Sequence, residues 1–164
     1  MTVPLPPARE VARHEAHHAA ALCVLGMVPK QVRVDWPKAD LAGFVTIDWG
    51  DGPDRATAER VLIAILLGGV TEGFDGWNDW PIDPGRLPNG ARHDAEQARH
   101  LAGYIGITDR AMWGFYVWKA NRLARRPEFR RLAVAIADEL ERVEVLTAED
   151  LRRLITTTEE AWST

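Results

Sequence analysis

Glu10-Val11-Ala12-Arg13-His14-Glu15-Ala16-His17-His18-Ala19-Ala20-Ala21-Leu22 carries the pattern H-E-x-x-H inside an apolar-patterned run from Glu10 to Gly26. A helix turns about 100° per residue, so His14 and His18 lie one turn apart and about 40° apart on one face. Two imidazoles placed in this way can reach one ion at about 2.0–2.1 Å. Glu15 sits about 60° from His18, beside the pair, where a carboxylate can hold a water rather than the ion. Val11, His18, Leu22 and Leu25 keep helical spacing, which turns His18 toward the core. A buried histidine needs a partner, and a metal ion is one. Chance placement would put this motif in on the order of one sequence in a hundred of this composition.

The totals bound the rest. A length of 164 residues predicts one domain, and 46% hydrophobic content predicts a real core. Net charge is −4 with a pI of about 5.7, and no Lys/Arg block tracks a phosphate backbone, which argues against nucleic acid. The longest apolar run, Val61 to Val70, contains Gly68-Gly69 and is too short for a bilayer, so no membrane segment is expected. No signal peptide is visible in Met1-Thr2-Val3-Pro4. The single Cys23 excludes an internal disulfide and suits a cytoplasmic location, with its thiol buried among Ala and Leu rather than acting as a nucleophile.

Read in order, the chain is mainly α with a small β-sheet. Pro4, Pro6 and Pro7 keep the start extended, and Gly26 stops the first helix. Gln31 to Trp36 and Ala42 to Asp48 alternate apolar and polar residues and predict two half-buried antiparallel strands. Asp54 caps a helix from Arg55 to about Phe74, apolar all round in its middle. Asp75 to Asn89 reads as a long loop, where Trp77 and Trp80 either pin the loop to the body or contact substrate. Helices then follow from Arg92 to Ile105, from Thr108 or Asp109 to Arg125, and from Pro127 to Val143. A last helix opens at Thr147 in capping style. The alternating Arg and Glu from Arg125 to Arg153 predict a solvated face.

H-E-x-x-H is the signature of zinc peptidases, in which three protein ligands leave one position open. Glu72, Asp75, Asp94 and His100 are candidates for the third ligand, and spacing does not choose among them. The order His14-Glu15-Ala16-His17-His18, Leu67-Gly68-Gly69, Gly90-Ala91-Arg92-His93-Asp94 resembles the peptidase domain of the FtsH family of ATP-dependent zinc metalloproteases. Gly43-Phe44-Val45-Thr46 is similar to that family's glycine-valine-threonine strand, and the leucine pattern of the last helices also resembles it, so the likeness runs along nearly the whole chain. The resemblance implies a zincin-like helical metalloprotease domain with an edge strand by the active site. It implies Zn2+ bound by His14, His18 and Asp94, with Glu15 as the catalytic carboxylate. Gly43, Phe44, Val45 and Thr46 would bind substrate, and Glu72 would act behind the ligands. The sequence departs from the family at His17, where the family has glycine, and at Arg92-His93, where it has serine-asparagine.

The expected activity is that of a zinc endopeptidase on flexible or unfolded polypeptide, with Glu15 as general base. Without the ATPase module and membrane segments of that family, the chain is expected to act on accessible segments or beside a separate ATPase or unfoldase. The alternative is a non-catalytic zinc-containing peptide-binding adaptor or regulator on the same fold. A further alternative places Glu72 rather than Asp94 on the metal. Oligomeric state is not legible in the sequence.

Overall fold

The structure is a computed structural model that describes residues 8–35, 43–52, 54–73, 75–87 and 89–161. Its elements run α1 (Ala8–Val24), β1 (Gln31–Val34), β2 (Gly43–Thr46), α2 (Arg55–Thr71), 3-10 turns at Asp75–Asn78 and Pro84–Arg86, α3 (Asn89–Ile105), α4 (Arg110–Ala124), α5 (Pro127–Val143), β3 (Val145–Thr147) and α6 (Ala148–Glu160). The fold is therefore mainly α with a small three-stranded antiparallel sheet, as the residue patterns predict. The chain forms two compact units, one from residues 1–48 with 127–164 and one from residues 49–126. No helix among the described residues is long and apolar enough to cross a membrane.

In the first unit α1 packs on α5, and both cover the sheet. Ala12, Ala16, Ala19 and Ala20 of α1 are buried, and such small side chains let the facing Leu132, Ile136 and Leu140 of α5 approach closely. Gly26, with φ of 81°, ends α1, and the Met27 N–H returns to the Leu22 carbonyl at 2.8 Å, an arrangement that suits a residue without Cβ. Strand order is β2-β1-β3. Val32 lies opposite both Val45 and Leu146, and Val32 and Leu146 are fully buried. Arg33, one residue on, points to solvent, as period-two alternation requires. Trp36 and Pro37, read as the end of this strand, lie outside the described residues.

The third strand has no counterpart in the sequence reading. Val145–Thr147 occupies the short link between two helices, and three residues give no alternation to detect. Glu144 makes the turn into it with φ of 61°, a left-handed position unusual for a residue with Cβ. Its N–H donates to the Leu140 carbonyl at 2.9 Å and closes α5, while its own carbonyl accepts the Val34 N–H at 2.9 Å. Thr147 then caps α6 through a reciprocal box with Asp150. The Thr147 backbone N–H and hydroxyl both donate to the Asp150 carboxylate and hold its pKa below the ordinary carboxylate value.

In the second unit α2 is central. Asp54 caps it, accepting the Thr57 N–H at 2.6 Å, which lowers the pKa of Asp54. Residues from Val61 to Gly69 are all buried, so α2 is enclosed on every side, packing on α3 and α4. The helix ends at Thr71, about three residues before the expected Phe74, because Gly73 takes φ of 72°. Conversely α3 begins at Asn89, three residues before the expected Arg92, so Gly90 falls inside its first turn. Ala91, Ala95, Ala98 and Ala102 form its buried stripe.

Gly69 is needed by the loop that follows. A Cβ there would stand 1.7 Å from Trp77 Nε1, so the indole lies directly on the helix backbone. Trp77 is buried, and Trp113 of α4 donates its indole N–H to the Trp77 carbonyl at 2.9 Å. Trp80 packs against Trp113 with ring centroids 5.2 Å apart. Between the two readings left open for these tryptophans, the structure supports anchoring for Trp77. Trp80 is half-buried and, with Gly76, Asp79, Pro81 and Asp83, lines a cavity of about 370 Å³.

Candidate metal centre

The first unit assembles three of the predicted groups on α1. His14 and His18 bring their Nε2 atoms to 3.0 Å, with the rings nearly perpendicular and their centroids 4.5 Å apart. Two nitrogens at 2.0–2.1 Å from a tetrahedral ion lie about 3.3 Å from each other. The pair therefore fits a shared ion to within a few tenths of an ångström. This separation follows from the four-residue spacing on one helix.

Glu15 and His18 are the two buried acidic or basic side chains among the described residues, each 7% exposed. Burying a carboxylate is costly, so a fold that encloses one beside two converging imidazoles has the character of a built site. The carboxylate of Glu15 is held against the first residue of β2. A Cβ on Gly43 would lie 2.6 Å from Glu15 Cγ and 2.9 Å from both Glu15 Oε1 and the Arg33 carbonyl oxygen. Only glycine leaves Glu15 this space. The sequence reading assigned Gly43 to substrate contact, and its role in seating Glu15 was not legible, because that contact joins elements far apart in sequence.

β2 stands at one end of the strand order, so its outer edge pairs with no strand among the described residues. Phe44 and Val45 are half-buried and Thr46 is exposed. The candidate base thus lies at the head of an open edge strand, within the same unit. His17 faces elsewhere: its ring stacks on Phe129 of α5 with centroids 6.0 Å apart and ring planes inclined by 30°. That packing accounts for a third histidine in the motif, and Phe129 gave no signal of it in the sequence. Cys23, farther along α1, has its thiol pKa pushed by burial up to about 12, which leaves it a poor nucleophile.

The second unit holds the four candidates for a third ligand. Asp94 sits in the second turn of α3, half-buried between the buried Ala91 and Ala95. Arg92 and His93 beside it are exposed, and His93 Nε2 lies 2.6 Å from Gln97 Nε2 at the surface. His100 is exposed on the same helix. Glu72 is the C-terminal cap residue of α2 and is exposed. The side chain of Asp75 lies outside the described residues. Of the described candidates Asp94 is the most enclosed, as a ligand carboxylate should be. No protein-family model matches the chain, and no curated protein matches it.

Proposed function

We propose that this chain is a zinc-dependent endopeptidase for flexible or unfolded polypeptide. The observation that carries the reading is the convergence of His14 and His18 Nε2 at 3.0 Å beside a buried Glu15 at the head of an open edge strand. In this reading His14 and His18 would supply two nitrogen ligands, and the sequence resemblance assigns the oxygen ligand to Asp94, a donor set suited to zinc. A zinc ion held there supplies Lewis-acid polarisation of the scissile carbonyl and acidifies a water toward neutrality.

The chain's own groups do the rest. Glu15 accepts the proton of the attacking water as its oxygen bonds to the carbonyl carbon. Glu15 then returns that proton to the amine nitrogen as the peptide C–N bond breaks. Burial against Gly43 keeps the carboxylate in one position for both transfers. The edge of β2 binds an extended substrate through backbone N–H and C=O groups, which demands little of its sequence. Such pairing needs free backbone, so a stably folded substrate would require a separate unfoldase.

The test compares cleavage of an unfolded, fluorescently labelled protein by zinc-loaded wild type and by Glu15→Gln. Cleavage by wild type alone, with zinc bound in both, supports the reading. Equal cleavage by both overturns the role of Glu15. Zinc binding with no cleavage by either favours the peptide-binding adaptor. Zinc stoichiometry in Asp94→Ala and Glu72→Ala decides the third ligand: full retention in Asp94→Ala would move that role to Glu72.

A further inference from the structure

The outward face of α4 combines bulky aromatics with unpaired cations. Phe115 is 49% exposed and Trp118 51% exposed. Their rings stack with centroids 6.0 Å apart. Lys119 Nζ lies over the Phe115 ring at 4.4 Å, and Arg122 Cζ over the Trp118 ring at 5.0 Å. Helical spacing puts Phe115, Trp118, Lys119 and Arg122 opposite the buried Trp113, Val117 and Ala120, and the exposed Arg125 and Arg126 follow directly at the helix C-terminus. From Arg110 to Arg126 the sequence holds five cations and no carboxylate, in a chain of net charge −4. Glu59, the acidic neighbour of Lys119, is already taken by Arg55 at 3.0 Å. Among the described residues Arg122, Arg125 and Arg126 form no ion pair, whereas Arg9, Arg33, Arg55, Arg142 and Arg153 each pair with a carboxylate.

We infer that this face of α4 docks the protein on an anionic bilayer surface. Charge decides the sign of the occupant: four cations along and just beyond the helix, with no carboxylate on α4 itself, select a dense negative array. The aromatics decide its kind. A single surface helix is a convex rod, and its Phe and Trp project from it. A headgroup layer can take in such rings while phosphates meet the surrounding cations. On binding, Lys119 and Arg122 exchange ring faces for lipid phosphates, which frees Phe115 and Trp118 to enter the interface.

The experiment is co-sedimentation of the full chain with phosphatidylcholine vesicles, with and without about one-third phosphatidylserine. Binding is expected with the anionic vesicles and not with the neutral ones, and should fall steeply when salt rises from about 0.1 M to about 0.5 M. Each cation near such a surface contributes about fivefold to partitioning, so Arg122→Gln with Arg126→Gln should weaken it by about 25-fold. Phe115→Ser with Trp118→Ser should weaken it at constant charge. All four side-chain changes avoid the buried face, and circular dichroism checks folding. No partitioning onto anionic vesicles, or partitioning unchanged in both double variants, overturns the inference. Binding of polyglutamate or single-stranded DNA with no vesicle binding also overturns it, and assigns the face to a protein or nucleic-acid partner instead.

Discussion

Gly43→Ala is the most searching single substitution. The added Cβ would fall 2.6 Å from Glu15 Cγ, about 0.8 Å inside ordinary contact, which begins at 3.4 Å. It would also stand 2.9 Å from the Arg33 carbonyl, which belongs to the neighbouring strand and cannot swing aside. Relief therefore requires Glu15 to move or β2 to shift, and overpacking of this kind costs about 1–3 kcal/mol. For a chain of this size that is a fall in Tm of about 3–10 °C. A displacement approaching 1 Å at the base is also large for catalysis, where misplacement of that order costs about 100-fold. Zinc content should stay near wild type, because His14 and His18 are anchored on α1, away from the new methyl. The assay pairs thermal unfolding with kcat on an unfolded polypeptide and with metal analysis. A variant of wild-type Tm would refute the packing argument. A variant with lowered Tm and unchanged kcat would refute the assignment of Glu15 as base.

Other expectations follow from the same contacts. Gly69→Ala places a methyl 1.7 Å from Trp77 Nε1 and should expel the indole, lowering stability by about 3 kcal/mol and red-shifting tryptophan emission; unchanged emission would count against it. Glu144→Gly relieves a left-handed φ of 61° and should raise stability by about 1 kcal/mol, or Tm by about 2–4 °C, in a thermal melt. Asp54 and Asp150 both have folded pKa values below their unfolded ones, chiefly through backbone N–H donors. Their stabilising contribution is therefore complete above the ordinary value near 3.8 and disappears as pH falls through the lower folded values. Replacing both by Asn should flatten the acid limb of a stability-versus-pH curve, and an unaltered limb would reject the assignment.

How far the sequence alone reached depends on where each signal lies. The histidine pair, Glu15 and the Asp54 and Thr147 caps are legible because each rests on residues within one helical turn, while the α4 cap is narrowed only to Thr108 or Asp109, of which the structure uses Asp109. The alternation of Val32 and Val34 with Arg33 was likewise sufficient for β1. β3 was not legible, since Val145–Thr147 becomes a strand only by pairing with Gln31–Arg33. The start of α3 was misplaced because Gly90 suggests a loop, yet an opening turn tolerates glycine better than a helix interior does. The Gly43–Glu15 and His17–Phe129 contacts join distant segments, and no local pattern announces them. The α4 stripe was present in the letters but emerges only when they are wound onto a helix whose other face is known to be buried.

The first unit is interrupted by residues 49–126, and this has a consequence for how the protein comes into being. When β1 and β2 leave the ribosome, neither β3 nor α5 has been synthesised. At about 5–20 residues per second, the histidine helix waits on the order of ten seconds for the partner that buries it. During that interval α1 lacks its packing surface, and the edge of β1 that later meets β3 is open. The first unit is therefore finished after the second, by residues 127–164. A nascent or truncated product would carry the histidine motif without the enclosed carboxylate setting that the complete fold provides.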